Sequence, residues 1–337
     1  MTHFPAKWQR PLSDGRVACE LCPRACLLSE GQVGACRVRR VQGGELIADT
    51  FARGVGFAVD PVEKKPVYHF YPGSSVFSFG TPGCNLACVF CQNWGMSRGT
   101  PDPNAPALAT PEVIASKALS LHCKSVAFTY NDPTIWAEYA IATAEACHDV
   151  GLQTIAVSAG YISPEPRREF YAQMDAANID LKFFSDANYQ KYSGVTLAPI
   201  LETLEYVANE TKTWLEVTTL LILGVNDGVE ELRELTSWFV SQLGPDVPLH
   251  FSAFYPAGKM LDRPATPIET LLVAREIARE AGLRYVYLGN VRRDDAGLTR
   301  CPSCSEVIVE RLAYQLGGVS LSDGKCDFCG ETVAGRF

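Results

Sequence analysis

The sequence has no apolar run long enough to cross a bilayer. The longest, around Val217 to Val225, contains two threonines and falls well short of the ~20 residues a spanning helix needs. The opening stretch Met1 to Trp8 lacks the apolar core of an export signal, so a cytoplasmic protein with no membrane partner is expected. Positive charge is not in excess either. Thirty Lys and Arg stand against 38 Asp and Glu, a formal net charge of −8, which removes nucleic acid as the default partner. Low-complexity text is scarce. What remains is 337 residues, 47% hydrophobic and 20% charged, enough for one large core or two domains.

Against that ordinary background stand thirteen cysteines. Cys123 and Cys147 are isolated in apolar text and read as buried thiols that pack as small hydrophobes. The other eleven fall into three groups: Cys19, Cys22, Cys26 and Cys36; Cys84, Cys88 and Cys91; and Cys301, Cys304, Cys326 and Cys329. Without an export signal, closely spaced cysteines ligate metal more often than they form disulfides. The middle group offers three thiolates where a four-iron, four-sulfur [4Fe-4S] cluster takes four, leaving one iron open to bind something that reacts. The alternative there is a three-cysteine zinc site completed by a distant histidine. In the last group, Cys301-Pro-Ser-Cys304 and Cys326-Asp-Phe-Cys329 form paired knuckles 21 residues apart, the pattern of a zinc ribbon. Zinc would make it a structural clip and is favoured, whereas a single iron would make it rubredoxin-like. The first group has a less diagnostic spacing and suits zinc or a second iron–sulfur cluster, with zinc slightly favoured.

Between the outer groups, strand-like and helix-like runs alternate. Candidate strands are Ser75–Phe79, Ser125–Thr129, Thr154–Ser158, Asn178–Lys182, Trp214–Ile222, Leu249–Phe254 and Tyr285–Leu288. Thr110-Pro111 reads as a helix start, and Thr266-Pro267-Ile268-Glu269 as a capping box. Gly151 and Gly282 read as helix ends. Such an α/β repeat closes into a barrel or opens into a doubly wound sheet, and in both the ligand sits beyond the C-terminal ends of the strands. The middle cysteine loop follows the first strand and lies at that end. Three regions are expected: an N-terminal Cys-rich module over 1–73, the α/β domain over 74–295 and a zinc-ribbon or rubredoxin-like tail over 296–337.

The spacing Cys84-x3-Cys88-x2-Cys91, with Phe90 before the last cysteine, resembles the radical S-adenosylmethionine (radical SAM) enzymes. Further text is similar to the branch of the pyruvate formate-lyase activating enzymes and, closer still, to the radical enzyme of the AmmeMemoRadiSam group. It comprises Cys19-Glu-Leu-Cys22-Pro-Arg-Ala-Cys26, Asp60-Pro-Val-Glu-Lys-Lys-Pro66, His69-Phe70, Gln92-Asn93-Trp94, Thr129-Tyr-Asn-Asp-Pro-Thr134, Asp180-Leu-Lys182, Leu223-Gly-Val-Asn-Asp227, His250-Phe251 and Tyr287-Leu-Gly-Asn290. The resemblance implies a partial (β/α)6 TIM-like barrel and a [4Fe-4S] cluster whose open iron is chelated by S-adenosyl-L-methionine. Reductive cleavage then yields a 5′-deoxyadenosyl radical that abstracts hydrogen, with electrons from a flavodoxin- or ferredoxin-type protein.

The resemblance also implies roles. Tyr130, Asn131 and Asp132 hold the position that meets the cofactor's amino group, Asp132 foremost, the alternative being an ordinary turn that opens a helix. Lys182 would meet the methionyl carboxylate, with Asp180 on the same strand face, or the two would simply pair with each other. Phe90, Ser158 and the Val225 loop would line the cofactor, with a helix N-cap at Asn226 or Asp227 as the alternative at that loop. Lys182, Asp180 and His250 are the catalytic candidates, and Glu63, Lys64, Lys65 and His69 are further candidates for substrate contact. The chain departs from the branch at Val157-Ser158-Ala159-Gly160, where two polar groups are missing, and Ser158 alone is a poor cation ligand. The substrate is a small metabolite or a glycyl-radical protein, the former favoured, and the group's name suggests Memo-like and AMMECR-like partners. The rival is a zinc-stapled scaffold protein with no catalysis.

Overall fold

The computed structural model describes residues 4–337; residues 1–3 of the stretch read for an export signal lie outside them. Eight strands make one open sheet: β1 (Val55–Pro61), β2 (Ser75–Gly80), β3 (Ser125–Phe128), β4 (Gln153–Ser158), β5 (Ala176–Asp180), β6 (Trp214–Leu221), β7 (Leu249–Ala253) and β8 (Val286–Gly289). Their order in space is their order in the chain. β2 to β8 are parallel, and β1 lies antiparallel on β2. Six strand–helix units followed by a last strand give the expected partial (β/α)6 barrel. Its helices are α1 (Pro111–Ser120), α2 (Ala137–Asp149), α3 (Pro164–Ala172), α4 (Ala198–Glu210), α5 (Val229–Gln242) and α6 (Ile268–Glu280).

Strand periodicity sorts the side chains. In β6, Leu215, Val217 and Leu221 join the large core beneath the helices, while Glu216 and Thr218 project to the opposite, inner face. The inner face holds a second apolar layer: Val76, Ala127, Ile155 and Ala176 pack with Val62, Val67 and Phe70 from the segment linking β1 to β2. Thr110 caps α1 as expected, accepting the Val113 amide. The expected capping box at α6 does not form. Thr266 instead donates its hydroxyl to the Leu221 carbonyl at 2.6 Å and accepts the Phe254 amide, because a loop-to-loop partner outcompetes the helix end. Cys123 and Cys147 are buried, as their apolar setting implies.

The C-terminal tail covers the N-terminal end of the strands. Arg336 meets Lys212, just ahead of β6, and pairs with Phe70. Arg311, fully buried, lies 3.6 Å from Glu63 and donates to the Tyr68 carbonyl at 2.6 Å. A directional chain runs beside it: Arg311 donates to Thr299, Thr299 to Tyr287, Tyr287 to His69 Nε2, and His69 Nδ1 to the Ala334 carbonyl. Burial keeps His69 neutral, and with Nδ1 donating to Ala334 its Nε2 is the acceptor that sets this direction. Burial depresses its pKa to about 4, although the nearby Glu216 carboxylate pulls the other way.

The unfolded chain therefore binds more protons than the folded one between about pH 6.5 and about pH 4, and stability rises with pH across that window. The contribution is complete above about pH 6.5 and falls by on the order of 3 kcal/mol as pH drops to about 4. Thermal melts from pH 7.5 downward should show this slope, flattened in a His69→Asn variant.

Candidate active site

The cysteine loop leaves the C-terminal end of β2 and is held there by neighbouring loops. The Ala87 and Val89 amides donate to the Ser193 and Tyr192 carbonyls, and Lys259 donates its amide to the Val89 carbonyl. Asn85 donates to the Tyr161 carbonyl at 2.8 Å and to Thr134. Cys88 Sγ lies 3.3 Å from the Ser193 hydroxyl, and Cys91 Sγ 3.3 Å from that of Ser97. Burial pushes the Cys84 thiol well up, and the Asp132 carboxylate pushes it further. Burial likewise raises Cys88, against the opposing pull of the Lys182 ammonium. Thiols so placed become thiolates when a cation takes them, which fits the donor set a four-iron cluster requires.

Charged groups converge on the loop. Lys182 Nζ meets Asp180 Oδ2 at 2.6 Å. Burial works against this ammonium, but Asp180 and the Cys88 sulfur outweigh it and hold its pKa above the ordinary lysine value. Asp132 is buried: Oδ1 accepts the Thr134 amide and the Ser158 hydroxyl, and Oδ2 accepts the Ala159 amide at 2.9 Å. It opens the short helical turn Pro133–Trp136, and it also ties the ends of β3 and β4 beside Cys84. Burial raises its pKa although these donors favour the charged form. Asn131 is spent on Thr81, Gly83 and Trp136. Tyr130, at a φ of +73°, accepts from Asn93 at its carbonyl and donates its hydroxyl to Asp60. Phe90 is buried, edge-on to Phe183 at 5.7 Å.

Other candidates lie elsewhere. His250 is buried in β7, with Nε2 2.6 Å from Glu216 and its ring against Tyr68 and Tyr287. Glu63 and His69 face the C-terminal tail. Asp60 joins both Lys64 and Lys65, at 2.8 and 2.7 Å. Helix α5 begins after Gly228, not at Asn226 or Asp227. Val225 accepts the Asn188 amide group at its carbonyl. Asn226, buried, accepts from the Ile222 amide and donates to the Lys182 and Leu220 carbonyls. It fixes the backbone of Lys182 to the end of β6, a role that its helix-cap look conceals. Asn226→Ala strands these buried groups and should lower stability by about 2–3 kcal/mol in denaturant unfolding. Asn226→Asp, which retains only the acceptor, should fail to restore it.

A family model for the radical SAM superfamily matches residues 79–237, from the end of β2 into α5. An uncharacterized protein of Methanocaldococcus jannaschii is 38% identical over 330 residues, covering 97% of this chain and 98% of its own. The 4-hydroxyphenylacetate decarboxylase activating enzyme of Clostridioides difficile is 26% identical over 116 residues, 34% of this chain and 36% of that one. Among solved structures, a radical SAM methyltransferase from Sphaerobacter thermophilus aligns with a TM-score of 0.50 at 15% identity, covering 65% of this chain and 67% of its own. That last likeness is one of fold.

Proposed function

Since the chain belongs to the radical SAM superfamily, we propose that Cys84, Cys88 and Cys91 hold a [4Fe-4S] cluster whose fourth iron takes the amino and carboxylate groups of S-adenosylmethionine. The cluster's chemistry is a one-electron cleavage of the bound sulfonium that gives methionine and a 5′-deoxyadenosyl radical, which takes hydrogen from the substrate. The observation that carries this reading is that the three-cysteine loop after β2, Asp132 after β3 and the Lys182–Asp180 pair at the end of β5 stand at the same end of the parallel sheet.

The residues divide the work by charge. Lys182, kept protonated, faces the methionyl carboxylate; Asp180 orients it. Asp132 Oδ2 has one donor and room for a second, so it can accept from the ammonium group. Phe90 and the Val225 loop line the remainder of the cofactor. Cys301, Cys304, Cys326 and Cys329 hold zinc as a clip at the far end of the barrel, where a rubredoxin-like relay would have the whole strand length to cross.

A small metabolite is the favoured hydrogen donor. A protein glycyl radical is the second reading, supported by the likeness to the decarboxylase activating enzyme. Memo-like and AMMECR-like partners, and a flavodoxin- or ferredoxin-type reductant in the cytoplasm, complete the proposal and rest on family resemblance. Binding is the first test. In reduced, iron-reconstituted protein, S-adenosylmethionine should shift the electron paramagnetic resonance spectrum, with a weaker response in Lys182→Ala. An unchanged spectrum at saturating S-adenosylmethionine would sink the reading.

A further inference from the structure

The N-terminal cysteines form a site with a geometry different from that of the C-terminal ones. All four sulfurs of Cys301, Cys304, Cys326 and Cys329 lie within 4.8 Å of one another, with pairs at 3.5 and 3.7 Å. One zinc with bonds of about 2.3 Å sets tetrahedral sulfurs about 3.8 Å apart, so that group is already shaped for it. Among the described residues it is the one set of three or more His, Cys, Asp or Glu ligand atoms so tightly drawn. Cys19, Cys22, Cys26 and Cys36 converge more loosely. A Cβ built on Gly34 would lie 3.8 Å from both the Cys26 and the Cys36 sulfur, and the Cys19 amide donates to the Cys26 carbonyl at 2.9 Å. Among the described residues neither this group nor Cys84, Cys88 and Cys91 draws three ligand atoms within 4.8 Å of one another. A four-iron cube puts each thiolate on its own iron, spreading the sulfurs to roughly 6 Å.

The surroundings carry unspent polar groups. Arg39, 1% exposed, forks onto Glu138 with two bonds of 2.9 Å and accepts the Gly34 amide at its carbonyl, yet its Nε has no partner. Asn85, whose amide group is spent on Tyr161 and Thr134, accepts Arg24 at its carbonyl and leaves its Oδ1 unpartnered. A buried cation with an unspent N–H suits an anionic cluster, whose charge it offsets.

The two cysteine regions touch. A Cβ on Gly83 would stand 2.3 Å from the Cys36 carbonyl, so the N-terminal loop lies directly on the residue that precedes Cys84. Arg24, between Cys22 and Cys26, donates to the Asn85 and Gly194 carbonyls, and Arg37 donates to that of Arg98.

We propose that Cys19, Cys22, Cys26 and Cys36 bind a second four-iron cluster, seated against the Cys84 loop where the Cys36 backbone meets Gly83. The metal assignment stands on the N-terminal geometry; its neighbour's identity rests on the function proposed above. Protein reconstituted anaerobically with iron and sulfide should hold about 8 iron and about 1 zinc per chain. The double variant Cys22→Ser/Cys26→Ser should fall to about 4 iron and keep its zinc, and Cys84→Ser/Cys88→Ser should also retain about 4 iron. About 4 iron in the unsubstituted protein, with or without a second zinc, overturns the proposal, and that count decides the matter even where a variant fails to fold. If iron persists in Cys84→Ser/Cys88→Ser while the unsubstituted protein leaves S-adenosylmethionine uncleaved, the functional reading fails and this one stands.

Discussion

Cys84→Ser should reduce 5′-deoxyadenosine formation at least about 10³-fold, to the background of protein without iron. The serine hydroxyl is far harder to deprotonate than a thiol, and at this position burial and the Asp132 carboxylate both oppose an anion. The hydroxyls of Ser193 and Ser97 already stand at Cys88 and Cys91, so the loop has oxygen close by without gaining a substitute ligand. Loss of the chemistry with fold retained is the expected pattern, read by product chromatography beside circular dichroism. Cys123→Ala supplies the control, since that thiol is buried by α1 away from the loop and should keep the cleavage. Full activity in Cys84→Ser would remove the cysteine loop from the reaction.

Glu216→Ala should cost about 3–5 kcal/mol of stability, the largest effect expected of a single substitution outside the cysteine groups. Its carboxylate, 0% exposed, collects four donors: the Tyr68 and His69 amides at 2.8 and 2.7 Å, Trp214 Nε1 at 3.0 Å and His250 Nε2 at 2.6 Å. Burial alone would raise its pKa, but the hydrogen bonds from His250 and from the His69 amide bring it below the ordinary glutamate value. Removing the carboxylate leaves those donors in a dry interior with no acceptor. Glu216→Gln keeps one acceptor and should lose less. Urea unfolding of the three proteins measures the order, and a loss under about 1 kcal/mol in the alanine variant would contradict it. Because Glu216 anchors His250 and the segment beneath the barrel, the same result bears on His250, whose ring it holds in place.

The parallel strands were legible because each is a short apolar run bounded by turn residues. β1 was not, since Val-Gly-Phe-Ala-Val-Asp-Pro is half exposed at a sheet edge and ends in proline, so its antiparallel pairing depends on β2 and on nothing local. The cysteine loop could be read because metal ligation imposes spacing on sequence. Its supports could not: Ser193 and Asn226 reach the site from other loops, and an asparagine that bridges two backbones looks like one that caps a helix. The contrast between the outer cysteine groups lay in sulfur geometry, which Cys-x2-Cys spacing leaves open.

Product analysis tests the central claim most directly. Anaerobically reconstituted protein, given dithionite and S-adenosylmethionine, should release 5′-deoxyadenosine and methionine in equal amounts, and Cys84→Ser should release neither above background. Iron-loaded, folded protein that binds S-adenosylmethionine but yields no 5′-deoxyadenosine, with and without candidate substrates, would contradict the account.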